Sequence, residues 1–329
     1  MNWTPYYTGT GSIPEQSQTL PPPPPWRATT GKADTADAAQ SPSPASTYRA
    51  DPGLVDAVNA ALHLRRPLLL TGPAGSGKSS VIEQIAAELG LGSVLRWHIT
   101  SRSALADALY RYDALGRIHA QRLQQEKARA GGGVPAEDDI APFLNLGPLG
   151  TALLPSPRPR ALLIDEIDKA DLDLPGDLLD VLERGEFRIP ELRREGLESV
   201  PLGLWGSDER HPVNKGHVQC TEFPFIVMTS NGEQELPAPF LRRCVRYTMP
   251  KPTPELIRLI VLRHLQLDVP DEGPLADFVD EFVRRVGRGQ SVAIDQLLGA
   301  LHLLEGPERL DRGEHSRLIS LLMKDLSSA

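Results

Sequence analysis

The chain has 329 residues, enough for about two domains at ~150 residues each. Hydrophobic residues make up 40% and charged residues 24%, as in a soluble globular protein. The net charge of −8 argues against a nucleic-acid surface, which needs clustered Lys and Arg, although a local basic pore stays open. Cys220 and Cys244 are the two cysteines, which implies no disulfide framework and suits a reducing cytosol; each reads as a small buried hydrophobe. No apolar run reaches the ~18 residues that cross a bilayer. The N-terminus has no basic segment followed by an apolar core, so no signal peptide is expected.

Residues 1–48 stand apart. They hold nine of the 31 prolines, including Pro21 through Pro25, and read as a tail with a stiff polyproline stretch. They also hold Trp3, Tyr6, Tyr7, Trp26 and Tyr48, five of the 17 aromatic residues, which favours a tail that docks over a plain linker. Asp51-Pro52 then reads as a helix start, with Asp as cap and Pro in the first turn. Strands are expected at about 67–71, 94–100, 160–165, 223–229 and 245–249, with helical patterns between most of them. That alternation implies an α/β fold with a largely parallel sheet.

The first strand runs into Gly72-Pro73-Ala74-Gly75-Ser76-Gly77-Lys78-Ser79, a full match to the phosphate-binding pattern G-x-x-x-x-G-K-S/T. A helical pattern opens at Ser80. The glycines let backbone N–H groups converge on phosphates, and the helix N-terminus adds its dipole. In this pattern Lys78 reaches the β- and γ-phosphates and the Ser79 hydroxyl ligates Mg²⁺. Between the second and third strands lies a long excursion with Ser103–Tyr112, a polar helix near 117–130 and a Gly131-Gly132-Gly133 stop. The third strand, Ala161-Leu162-Leu163-Ile164, ends in Asp165-Glu166, at the strand edge where open α/β sheets bind ligands. Asp165 suits Mg²⁺, directly or through water, and Glu166 suits activation of an attacking water. A second excursion, 186–222, carries an expected hairpin around Phe187-Arg188-Ile189. The fourth strand ends at Asn231, either a donor to γ-phosphate or water, or one half of an Asn-Gly turn. Arg242-Arg243, before the last strand, reads either as a solvated helix end or as a cation reaching a neighbouring subunit's phosphate. From Pro252 the pattern is helical, with Leu275, Phe278, Val279, Phe282, Val283 and Val286 on one stripe.

Together GPAGSGKSS, LLIDEIDKAD followed by LPGDLLDVLERGEF, and MTSNGEQELPAPFLRRC resemble the AAA+ ATPases and, within them, the MoxR family. The resemblance covers the chain from about residue 50. It implies ATP and Mg²⁺ as cofactors and a five-stranded sheet of order 5-1-4-3-2 in a 49–250 ATPase domain, with a helical lid at 251–329. It implies a cytoplasmic ring, usually a hexamer, that hydrolyses ATP to remodel a partner protein, often one with a von Willebrand A domain. Gly72 through Ser80 and Asp165 would then bind the nucleotide, and Ser79 and Asp165 the metal. Glu166, Asn231 and a finger at Arg243, with Arg242 second, would carry catalysis. The opening Tyr-Tyr-Thr-Gly-Thr-Gly and Leu-Pro-Pro-Pro-Pro-Pro-Trp resemble leaders of MoxR-type ATPases from bacterial conflict-type systems. One position departs: the arginine usual at the start of a lid helix is Ala293, with Arg288 nearby. That departure keeps a second reading open, a nucleotide-gated assembly switch that hydrolyses slowly. A P-loop kinase fits less well, since a kinase has no use for a water-activating Glu166.

Overall fold

The computed structural model describes residues 51–73, 76–129 and 139–250, then 253–255, 257, 258, 261, 269, 270, 273–287, 297 and 301. The tail, Ala74 and Gly75 of the glycine loop, the triple-glycine stop, Arg288 and Ala293 lie outside the described residues, as does the Ser80 side chain.

Helix α1 (Pro52–Leu64) begins where Asp51 Oδ1 accepts from the Gly53 N–H at 2.7 Å. A cap of this kind is worth about 1 kcal/mol. It buries Leu54, Val58, Ala61 and Leu62 along one face. Strand β1 (Leu68–Thr71) leads to α2 (Lys78–Leu89) and β2 (Leu95–His98). The first excursion folds as α3 (Leu105–Leu109), β3 (Tyr110–Tyr112), α4 (Ala114–Arg129), β4 (Leu144–Leu146) and α5 (Pro148–Ala152). The polar helix α4 starts earlier than expected because Asp113 Oδ1 caps it, accepting from the Gly116 N–H at 2.8 Å. Strand β5 (Ala161–Asp165), α6 (Leu174–Arg184), β6 (Glu186–Arg188), α7 (Pro190–Glu195), β7 (Ser199–Gly203), β8 (Arg210–Asn214) and β9 (His217–Gln219) follow. Then come β10 (Phe225–Ser230), α8 (Ala238–Leu241), β11 (Val245–Thr248) and α9 (Pro274–Gly287).

Five strands form one sheet in the order β11-β1-β10-β5-β2. Strand β5 pairs parallel with β10 and with β2, placing Met228 opposite Ile164 and His98 opposite Asp165. All six residues of β10 are buried, so this strand is covered on both faces and reads as a near-continuous apolar run. The parallel register brings the C-terminal ends of β5, β10 and β2 to one edge, where their polar residues gather.

The two excursions build a second sheet, of six strands in the order β3-β4-β7-β8-β9-β6. Here the structure departs from the expected hairpin at Phe187–Ile189. Residues 186–188 form a strand that pairs with 217–219, and the hairpins are β7–β8 and β8–β9. The apolar residues Phe187 and Ile189 are buried, so they join this sheet's core rather than a turn. The ends of the sheet approach each other, with the Tyr110 ring of β3 stacked on Phe187 of β6 at 6.5 Å. Gly150 of α5 lies against α3; a β-carbon on it would stand 1.8 Å from the Leu109 carbonyl oxygen.

The chain divides into two compact units. One holds residues up to Leu69 and Ser79–Tyr247, including the second sheet. The other joins Leu70–Lys78 to the chain from Thr248 onward. In that second unit the Met249 N–H donates to the Thr71 carbonyl at 2.7 Å. A separate apolar cluster there gathers Ile257, Val261, Val269, Phe278, Val279, Phe282, Val286, Leu297 and Leu301. The stripe read from the sequence is therefore the buried face of α9. Among the described residues no helix is long and apolar enough to cross a membrane.

Candidate active site

The glycine loop belongs to the second unit. Gly72 has φ +144, and a β-carbon there would lie 3.1 Å from Met249 Cβ and 3.3 Å from its carbonyl oxygen. Only glycine fits such a backbone in such a space. Pro73 is exposed and Gly77 adopts φ +83. Lys78 is 6% exposed, and its Nζ donates to the carbonyls of Gly72 and Pro73, both at 2.8 Å. Ser76 is buried, and its Oγ has no hydrogen-bond partner among the described residues. A buried hydroxyl and a buried ammonium in one turn suit an anionic ligand that brings many acceptor oxygens.

Ser79 follows directly along α2 and belongs to the first unit. Its Oγ donates to Asp165 Oδ1 at 2.9 Å. Thr229 Oγ1 donates to the same oxygen at 2.5 Å and accepts the Glu166 N–H at 2.9 Å. A hydroxyl and a carboxylate at this spacing match Mg²⁺, a hard ion that takes few protein oxygens and keeps waters and phosphate ligands. Among the described residues no cluster of three or more His, Cys, Asp and Glu would hold a metal unaided.

Glu166 is a non-glycine residue in the left-handed region, φ 61 and ψ 48. That conformation costs roughly 1–2 kcal/mol. It is sustained by the Thr229 bond and by the Lys169 N–H, which donates to the Glu166 carbonyl at 2.9 Å. Backbone strain held in place by its surroundings concentrates at functional sites. The carboxylate has three neighbours. Lys169 Nζ donates to Oε2 at 2.8 Å, His98 Nε2 lies 3.5 Å from the same oxygen, and Asn231 Nδ2 donates to Oε1 at 3.4 Å. The bond to Glu166 pushes the Lys169 ammonium pKa up, and the charges of Glu233 and Asp168 add to that effect. A cavity of about 480 Å³ opens beside these groups, lined by His98, Thr100, Ser101, Asp168, Lys169 and Glu233 among others.

The structure thus brings together Ser79, Asp165, Glu166 and Asn231. Arg242 and Arg243 directly follow α8, and among the described residues neither bonds this cluster. Arg242 is exposed, while Arg243 bonds Glu183 of α6 through Nε and the Pro239 carbonyl through a terminal nitrogen at 3.1 Å. Both partners lie in the same chain, and the pair is about half exposed, so parting it costs only about 0–1 kcal/mol. The sequence pattern does not single out Thr229, Asp168, Lys169 or His98. Thr229 carries one signal, a polar residue in a buried strand whose first four residues are apolar.

These elements define a class: an α/β nucleotide-binding fold with its polar residues at the C-terminal edge of a five-stranded sheet. Residues 67–244 match the AAA domain (dynein-related subfamily). The match spans more than half of the chain, which belongs to this family of AAA domains. No curated protein sequence matches the chain. Among solved structures it is similar to C. elegans PCH-2, at 14% identity and a TM-score of 0.39. That match covers 82% of this chain and 64% of the PCH-2 chain.

Proposed function

We propose that the protein hydrolyses ATP to ADP and phosphate, as a ring-forming motor of the MoxR type that remodels a partner protein. The observation that carries this reading is the convergence of Ser79 Oγ and Thr229 Oγ1 on Asp165 Oδ1, with Glu166 and Asn231 paired beside it. Lys78 and the Gly72–Lys78 backbone bind the phosphates. Ser79 and Asp165 hold Mg²⁺, which neutralises charge on the phosphates when bound. Glu166 accepts a proton from the attacking water while Asn231 orients that water. Arg243, released from Glu183, stabilises charge on the phosphoryl group in the next subunit, with Arg242 as its stand-in.

The proposal extends to organisation. Residues 1–48 act as a docking tail, 49–250 as the ATPase domain and 251–329 as a helical lid. The ring is a cytoplasmic hexamer, and its client is a protein with a von Willebrand A domain. A second reading, a slow nucleotide-gated assembly switch, draws on the bond from Lys169 to Glu166, which occupies one oxygen of the base. Phosphate release per subunit, measured against protein concentration, tests the ring. It should rise until assembly saturates. Mixing Arg243→Ala with Lys78→Ala subunits should recover part of the activity that each lacks alone. A rate that stays flat in a preparation shown to be monomeric would remove the ring, and no recovery in co-assembled mixtures would remove Arg243 as a finger.

A further inference from the structure

The roles above use Asp165, Glu166 and Asn231, and leave one buried carboxylate nearby without a task. Asp168 is 3% exposed and lies in the short 3-10 turn Ile167–Lys169 that follows β5. Its Oδ2 accepts two backbone N–H groups, from Asn231 and from Glu233, both at 2.9 Å. Between those residues Gly232 takes φ +78, and its N–H donates to Ser230 Oγ at 3.0 Å. Positive φ at that point lets the N–H groups on either side of the Gly232 amide turn towards one acceptor, in the manner of an anion nest. One oxygen of Asp168 therefore joins the turn that carries Glu166 to the turn that carries Asn231.

The choice of residue is informative. An asparagine side chain could accept both N–H groups with its single carbonyl oxygen and would bury no charge, but its NH2 would take the place of Oδ1 and bring two buried donors there. Asp168 keeps a carboxylate, and its Oδ1 has no hydrogen-bond partner among the described residues. Charge-assisted bonds are roughly twice as strong as neutral ones. A carboxylate therefore holds the Asn231 backbone more firmly than an amide would, and it places no donor at the position of Oδ1.

We infer that Asp168 is a positioning residue for hydrolysis, acting through Asn231: it fixes the Asn231 turn against the Glu166 turn. The inference rests on the reading of Glu166 and Asn231 as the groups that handle the attacking water. A displacement of about 1 Å at such a group costs on the order of 100-fold in rate.

The test combines amide hydrogen exchange with a double-mutant cycle on the full chain. In Asp168→Ala, exchange should quicken at the Asn231 and Glu233 amides while β5 and β10 keep their protection. Its kcat at saturating ATP and Mg²⁺ should fall about 100-fold, with ATP affinity unchanged. Asp168→Asn, which keeps the acceptor and loses the charge, should fall about tenfold. In an Asn231→Ala background neither change should cost more, because groups that act through one another do not add. Unchanged exchange at the two amides would overturn the clamp. Rate losses that multiply in the double variants would overturn its action through Asn231. Should Asp168→Ala loosen the whole sheet, Asp168→Asn decides, since its deficit must vanish in the Asn231→Ala background. Glu166→Gln serves as the separate control: wild-type hydrolysis there would bring down the reading of the site, while the exchange result would still decide the clamp.

Discussion

In the six-stranded sheet, Lys215 meets Glu198 with both side chains more than two-thirds exposed, and His217 of β9 meets Glu186 of the adjoining β6. The first pair sits in water and contributes about 0–1 kcal/mol, and the second is a single part-buried contact between two strands. At the end of the five-stranded sheet the same residue types behave differently. Two hydroxyls share one oxygen of Asp165, three side chains surround Glu166, and Asp168 is buried on two backbone amides. The difference teaches that residue identity says little about a site. Convergence of several polar groups at one sheet edge, with burial, says much more.

Four substitutions would break or sharpen this contrast. Lys78→Ala should have the largest effect, lowering ATP affinity about 100- to 1,000-fold, because a buried ammonium makes charge-assisted bonds worth about 1.5–3 kcal/mol each. Calorimetric titration with ATP checks it, and unchanged affinity would remove the glycine loop from the site. Gly150→Val works on the other region. Its β-carbon has no room against the Leu109 carbonyl, so stability should fall by about 1–3 kcal/mol. Urea unfolding would read that loss, and the folded fraction should bind ATP as before.

Thr229→Val comes next. It removes the donor to Asp165 and leaves the Glu166 N–H without its acceptor. Single-turnover hydrolysis should slow about tenfold, the worth of one hydrogen bond lost in the transition state. The smallest effect belongs to Tyr110→Phe. The tyrosine pKa is pushed up to about 12, first by burial and then by its bond to Glu191 at 2.9 Å. Losing that bond should cost about 1 kcal/mol in thermal unfolding and leave hydrolysis untouched. A loss of hydrolysis in Tyr110→Phe would mean that the two regions are not separable in function.

Much of the five-stranded sheet and its site is legible in the amino-acid sequence. The apolar runs at Leu68–Leu70, Ala161–Ile164 and Phe225–Met228 mark strands because a sheet covered on both faces needs such runs. Asp165 and Glu166 stand out because they end one of them, and Phe278, Val279 and Phe282 mark a helix by their spacing. The second sheet is not legible in this way. Its strands β3, β4, β6 and β9 have three residues each, too short for alternation to show. It also joins two excursions, with Asn145 paired to Gly203. Asp168 is hidden for a related reason. It sits among other acidic residues in the sequence, and its role depends on amides more than sixty residues further along. The left-handed backbone of Glu166 has no sequence signature, since glycine is the usual occupant of that region.

The most direct test of the account is phosphate release by Glu166→Gln compared with the unaltered chain, in preparations shown to bind ATP equally. The substitution keeps the shape of the side chain and leaves Asp165 and Ser79 in place. The account predicts that ATP stays bound while hydrolysis falls about 100- to 10,000-fold, the usual contribution of a general base. Phosphate release at the unaltered rate would contradict it.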